Sequence, residues 1–152
     1  MSFRLIRLPP VIAFASLVAG LAAHRFVPVS LGLPSFEVGM GIGCAVLLAG
    51  VAVAWAALSE LRAHKTTAEP GQRPTALVMS GIFSFTRNPL YLTLLLVLLS
   101  VAVMADSLWL VVSAGLLWLT LDRVVVRAEE KLLEEAFLEE YVAYKRRVRR
   151  WV

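Results

Sequence analysis

A chain of 152 residues has room for one domain, and 59% hydrophobic residues against 17% charged is too apolar for a soluble globule of that size. The net charge of +4 therefore points to anionic headgroups rather than nucleic acid, because the basic residues flank apolar runs. One cysteine, Cys44, excludes an intramolecular disulfide and a cysteine-based metal site.

The first apolar run gives a span over about 8–27. It follows Arg4 and Arg7, as the core of a signal peptide would. No convincing small-x-small cleavage site follows, and His24-Arg25 closes the run where a membrane helix meets headgroups, so a retained span is expected. Pro28, Gly32 and Pro34 mark a short outer loop, with Ser35 as the N-cap of the next helix. That helix is expected over about 36–59. Its charge-free run, 38–58, is long enough to cross a hydrocarbon core about 30 Å thick at about 1.5 Å per residue. Gly39, Gly41, Gly43 and Gly50 stud it and read as positions of close helix packing.

The longest polar connection, 60–87, contains His64-Lys65-Thr66-Thr67 and then Glu69-Pro70-Gly71-Gln72-Arg73-Pro74, and loops of this length are often functional. His64 has no partner at metal-ligand spacing and reads as a solvated loop residue. Spans over about 88–105 and 107–126 are separated only by Asp106, which makes a tight hairpin. The second arm reaches bilayer thickness only by continuing through Asp122-Arg123 into Val124-Val125-Val126. From about 128 to 150 the chain turns charged but keeps helical period, with Leu133, Phe137, Tyr141, Tyr144, Val148 and Trp151 recurring at intervals of four and three. Acidic residues come first and Lys145, Arg146, Arg147, Arg149 and Arg150 last, the order favoured by the helix dipole and by anionic lipid.

These elements describe an all-α integral membrane protein that forms one unit over 1–152. It has about four transmembrane helices and a carboxy-terminal amphipathic cytoplasmic helix. With four spans, Arg25 is the only Lys or Arg on one side, so the positive-inside rule puts both termini in the cytoplasm of a bacterial-type plasma (inner) membrane.

The hairpin returns the chain to the side it left, so Arg87-Asn88-Pro89-Leu90-Tyr91 and Glu129-Glu130 emerge on one membrane face. Glu130 lies on the stripe of Leu133 and Phe137, and Glu129 leads to Leu133 at spacing four. Two inward carboxylates at a membrane surface need a cation, donors or hydroxyls, which a cationic or hydroxyl-rich ligand supplies. The bland alternative is that they favour the helix N-terminus and pair with Arg127 or Lys131. By the same standard Arg87 is a topology anchor or a ligand fork, Asn88 an N-cap, and Tyr91 a belt aromatic, while Pro89 starts a helix well.

Gly81-x5-Arg87-Asn88-Pro89-x-Tyr91, the apolar hairpin, and then Glu129-Glu130-x2-Leu133-x3-Phe137-x3-Tyr141-x2-Tyr144-x3-Val148 resemble the isoprenylcysteine carboxyl methyltransferase family over roughly 62–151. The pattern is also similar to the related phospholipid N-methyltransferases. The resemblance implies transfer of a methyl group from S-adenosylmethionine to a carboxylate or amine of a membrane-dissolved, lipid-like substrate, with catalytic roles for Arg87 and Glu130. It implies a cofactor site formed by Gly81, Arg87, Asn88, Pro89, Tyr91, Glu129, Glu130, Phe137, Tyr141 and Tyr144, with no metal. Glu129 and Glu130 would accept from amino group or ribose, Arg87 would hold a carboxylate, and the aromatics would wall adenine or the sulfonium. Asn88 stands where the family often has histidine, and Thr93 and Leu138 stand where glycine commonly follows the tyrosine and the phenylalanine. Alternative readings are a sterol-type reductase relative using NADPH, and a non-catalytic small helical membrane assembly protein.

Overall fold

The computed structural model describes residues 9–66 and 76–152; Arg4, Arg7 and the 69–74 part of the polar connection lie outside the described residues. The described chain is all helical. It runs α1 (Pro9–Phe26), α2 (Phe36–Ala63), a 3₁₀ turn (Gly81–Ser84), α3 (Pro89–Met104), α4 (Leu108–Thr120), a π-helical segment (Leu121–Val126) and α5 (Arg127–Arg147). Pro9–Phe26, Phe36–Ala63 and the joined run Leu108–Arg147 are long and apolar enough to cross a membrane, and Pro89–Met104 is a shorter apolar helix.

The hairpin of α3 and α4 is the centre of the bundle, with α2 packed on α3 and α1 on α4. Leu95, Leu98 and Ala102 of α3 meet Leu110, Ala114 and Leu117 of α4 in the core. Inside a bilayer burial from water does not drive this contact, so close fit has to. A side chain at Gly43 would run into Met104 and come within 2.9 Å of the Ser100 carbonyl, so α2 lies against α3 only because glycine is there. Gly41, on another side of α2, has open space around its Cα. Phe14, Val18, Leu48, Val51 and Trp55 remain exposed, as residues that face lipid tails do.

Both interhelical turns sit at one end of the bundle and are tied together there. Asp106 turns the chain between α3 and α4 at φ 45. Its carboxylate accepts from the Leu31 amide at 2.9 Å and from the Ser30 hydroxyl. Leu108 donates to the Val29 carbonyl at 3.0 Å, and the Trp109 indole to the Val27 carbonyl at 2.7 Å. Ser35 caps α2, its hydroxyl accepting from Val38.

At the other end two features depart from the sequence pattern. The last span and the carboxy-terminal helix are one helical run, joined through the π segment. The stripe from Leu133 to Trp151 is not one straight face: Leu138 leaves helical geometry at φ 47, ψ −123, and Val148 is extended beyond Arg147. Residues 148–151 are therefore a strap that turns back onto the bundle, and Trp151 packs near Trp118 of α4 with ring centroids 6.3 Å apart.

Candidate functional site

Pro89 opens α3 at its first turn, where a missing amide proton costs nothing, and Asn88 before it stands outside helical geometry, at φ −130, ψ 55, at the helix mouth. The Asn88 side chain does not cap α3. Its amide donates instead to the Arg150 carbonyl at 2.9 Å, which the Thr86 hydroxyl also reaches at 3.2 Å. The Arg87 amide donates to the Arg149 carbonyl at 3.1 Å. The strap is thus sewn to the 86–88 segment through its own Arg149 and Arg150 carbonyls.

The charged side chains form one cluster between these segments. Arg87 Nη1 donates to Glu130 Oε1 at 2.7 Å and lies 3.4 Å from the Tyr141 hydroxyl. Arg150 grips Glu130 with Nε and Nη2, at 3.0 and 2.7 Å, while its Nη1 donates to Asp122 at 2.9 Å. The hydrogen bond to Glu130 is the main reason the Arg150 guanidinium holds its proton even more firmly than usual. Trp151 donates to the same Asp122 oxygen at 2.9 Å. Arg127 and Lys131, the helical neighbours, are not the partners of Glu130.

The π segment explains which glutamate joins this network. Eight positions along an α-helix set two side chains roughly 80° apart, and the extra residue taken up by a π turn removes about 100° of rotation. Asp122 and Glu130 thereby come onto nearly one face, where a single guanidinium bridges them. Glu129 is turned away toward α3, and there it accepts from the Tyr91 hydroxyl at 2.9 Å.

Two groups of the cluster have unmet demand among the described residues. Glu129 has a hydroxyl donor but no cation, and burial raises its carboxyl above the ordinary value. Arg87 spends Nη1 on Glu130, while its buried Nε makes no hydrogen bond. Such groups cost free energy unless a ligand answers them.

The other expected residues fall around this centre. Tyr141 is buried with its ring 6.0 Å from that of Tyr144 and with Lys145 5.9 Å above it. Burial and the nearby Glu130 raise its hydroxyl. Tyr144 donates to the Phe83 carbonyl at 2.6 Å, and burial pushes its hydroxyl up to about 12. It also borders a cavity of about 530 Å³ that His64, Met79, Ser80, Ser84 and Arg147 help to line. Phe137 is half-buried beside the break at Leu138, outside the hydrogen-bonded cluster. Gly81 has φ 55, the left-handed region that favours glycine, and packs there against the Glu60 side chain of α2. Arg150, Asp122, Trp151 and Thr86 were not among the residues expected at the site from the sequence. Asp122 carried a usable signal, because a carboxylate within an apolar run requires a cation somewhere.

A family model described as phospholipid methyltransferase matches residues 38–140 of the chain. Among characterised proteins, a cobalt-zinc-cadmium resistance protein of Cupriavidus metallidurans is 35% identical over 77 residues. That stretch is 51% of this chain and 35% of the relative, so the chain spans about a third of that protein's length. No solved structure matches the chain significantly.

Proposed function

The chain belongs to the phospholipid methyltransferase family, and from that premise we propose that it transfers a methyl group from S-adenosylmethionine to a carboxylate or amine of a lipid-like substrate dissolved in the membrane. The observation that carries this reading is the pair of unmet groups, an anion without a cation at Glu129 and a guanidinium edge without an acceptor at Arg87 Nε. The amino-acid end of S-adenosylmethionine bears an ammonium and a carboxylate, which answer those two demands.

When bound, the sulfonium supplies an electrophilic methyl group. Arg87 holds a carboxylate with the edge that Glu130 leaves free, and Glu129 accepts from an ammonium or from ribose hydroxyls. Tyr91, Phe137, Tyr141 and Tyr144 supply aromatic walls. Asn88, Pro89 and Gly81 fix the backbone that carries these groups. Methyl transfer is a displacement in line, so a carboxylate acceptor needs alignment and exclusion of water more than acid or base. An amine acceptor must in addition surrender a proton, and Glu129 is the one of the two glutamates that no arginine holds. In the same reading both termini are cytoplasmic in a bacterial-type inner membrane, so the cofactor reaches the cluster from water and the substrate reaches it from the bilayer.

The test is equilibrium binding of S-adenosylmethionine, its demethylated product and NADPH to the full chain purified in detergent. The first two are expected to bind and NADPH is not. Glu130→Gln should weaken binding by about 1–3 kcal/mol, the usual loss for a charge-assisted contact. Arg87→Lys keeps the charge but not the planar fork, and should lose about tenfold or more, at least ~1.4 kcal/mol. Unchanged affinity in both Glu129→Gln and Glu130→Gln, with folding intact, would overturn the cofactor assignment. Labelled methyl groups appearing in a membrane lipid extract would then identify the acceptor class.

A further inference from the structure

Arg150 lies 63 residues from Arg87, on a strap beyond the last helix, yet both guanidinium groups meet the same carboxylate. Arg87 takes one oxygen of Glu130 by a single contact, while Arg150 takes both oxygens and is itself fixed from three directions. Asp122 holds its third nitrogen, Asn88 and Thr86 hold its carbonyl, and Trp151 locks the next residue onto Asp122. Glu130 is therefore oriented by Arg150, and Arg87 is oriented by Glu130.

Charge gives a second reason for this chain of contacts. A lone Glu130 would let Arg87 close on it with two nitrogens, the geometry that guanidinium and carboxylate prefer. Because Arg150 already occupies both oxygens, Arg87 is restricted to Nη1 and its Nε edge stays open. We infer that Arg150 is a positioning residue. By saturating Glu130 it keeps the Nε edge of Arg87 free for the carboxylate of a ligand, and the Asp122 carried by the π segment sets the angle at which it does so. This rests on the reading of Arg87 as a carboxylate holder, but the positioning itself is a property of the ligand-free protein.

The experiment uses the full chain in detergent, with the arginine Nε–H signal of Arg87 followed by NMR without ligand, and S-adenosylmethionine affinity measured in parallel. Arg150→Ala should shift the Arg87 signal, as Arg87 swings to grip Glu130 with two nitrogens, and should weaken binding about tenfold. Arg150→Lys keeps the charge but has no planar fork to hold both oxygens of Glu130 while a third nitrogen reaches Asp122, and should move both readouts in the same direction by less. It also keeps the test open if the alanine variant fails to fold. In a Glu130→Gln background, replacing Arg150 should add less than a twofold change, because the connection is already cut. Arg146→Ala, an exposed change, should alter neither readout.

An Arg87 signal unmoved in Arg150→Ala and Arg150→Lys overturns the inference, as does a full loss of affinity that persists in the Glu130→Gln background. If the signal moves as expected while the wild-type chain binds no S-adenosylmethionine, the positioning stands and the cofactor reading falls.

Discussion

At Leu138 the backbone takes φ 47, ψ −123, a region that a side chain with a Cβ enters only at a cost of order 1–3 kcal/mol. The side chain is 68% exposed, so it returns little packing for that cost. Leu138→Gly should therefore stabilise the protein by about 1 kcal/mol or more, read as a rise in Tm in detergent. An unchanged or lower Tm would mean that the break is not strained. Glu129 carries a cost of another kind. Burial holds its carboxyl above the ordinary 4.5, so between that value and the raised one the folded chain keeps a proton that the unfolded chain has lost. Its contribution is thus most favourable below the ordinary value and declines as pH rises through the raised one. Glu129→Gln, which can still accept from Tyr91, should raise Tm at pH 7 and lose that advantage as pH falls toward 4.5. A lower Tm at pH 7 would imply that a cation already pairs with this carboxylate. The paired glutamates and Arg87 were legible in sequence because charge beside an apolar hairpin is conspicuous. Arg150 was not, because a basic tail next to a membrane has a sufficient explanation in headgroups.

Among the elements, the hairpin was readable from a single charge between two apolar runs, and Ser35 from its place before α2. The π segment was not, since the Asp122-Arg123 pair within Leu121–Val126 reads equally well as an ion pair near the interface on a regular helix, and periodicity does not register one extra residue within six. The strap was hidden for a related reason: Val148 and Trp151 continue the four-and-three spacing of α5 although the helix has ended. Periodicity states which residues would share a face if the helix continued, and only contacts decide whether it does. The contact of α2 with α3 permits a paired test. Gly43→Val forces a branched side chain against the Ser100 carbonyl and should destabilise by about 1–3 kcal/mol. Gly41→Val meets nothing within 4 Å and should change Tm little. Equal losses in the two variants would show that helix propensity, not packing, makes these glycines matter.

For the whole molecule, orientation is the property that composition and fold jointly determine. In a Cys44→Ser background, Pro34→Cys should react with an impermeant maleimide in intact cells, and Val152→Cys only after permeabilisation. The reverse pattern would invert the topology and move the charged cluster to the outer face. The ties from Asp106, Leu108 and Trp109 to the 27–31 turn give that orientation a mechanical meaning. Helices tied at one end move most at the other, because displacement grows with distance from the tie. Over the 16 residues of α3, about 24 Å, a tilt of roughly 5° would move the opposite end by about 2 Å while leaving the tied end nearly still. Arg87 and Glu130 both stand at that far end of the one hairpin, so a tilt of α3 and α4 carries them together, and the hydrogen bonds from Ser80 to Glu60 and from Thr93 to the Gly50 carbonyl are what resist it.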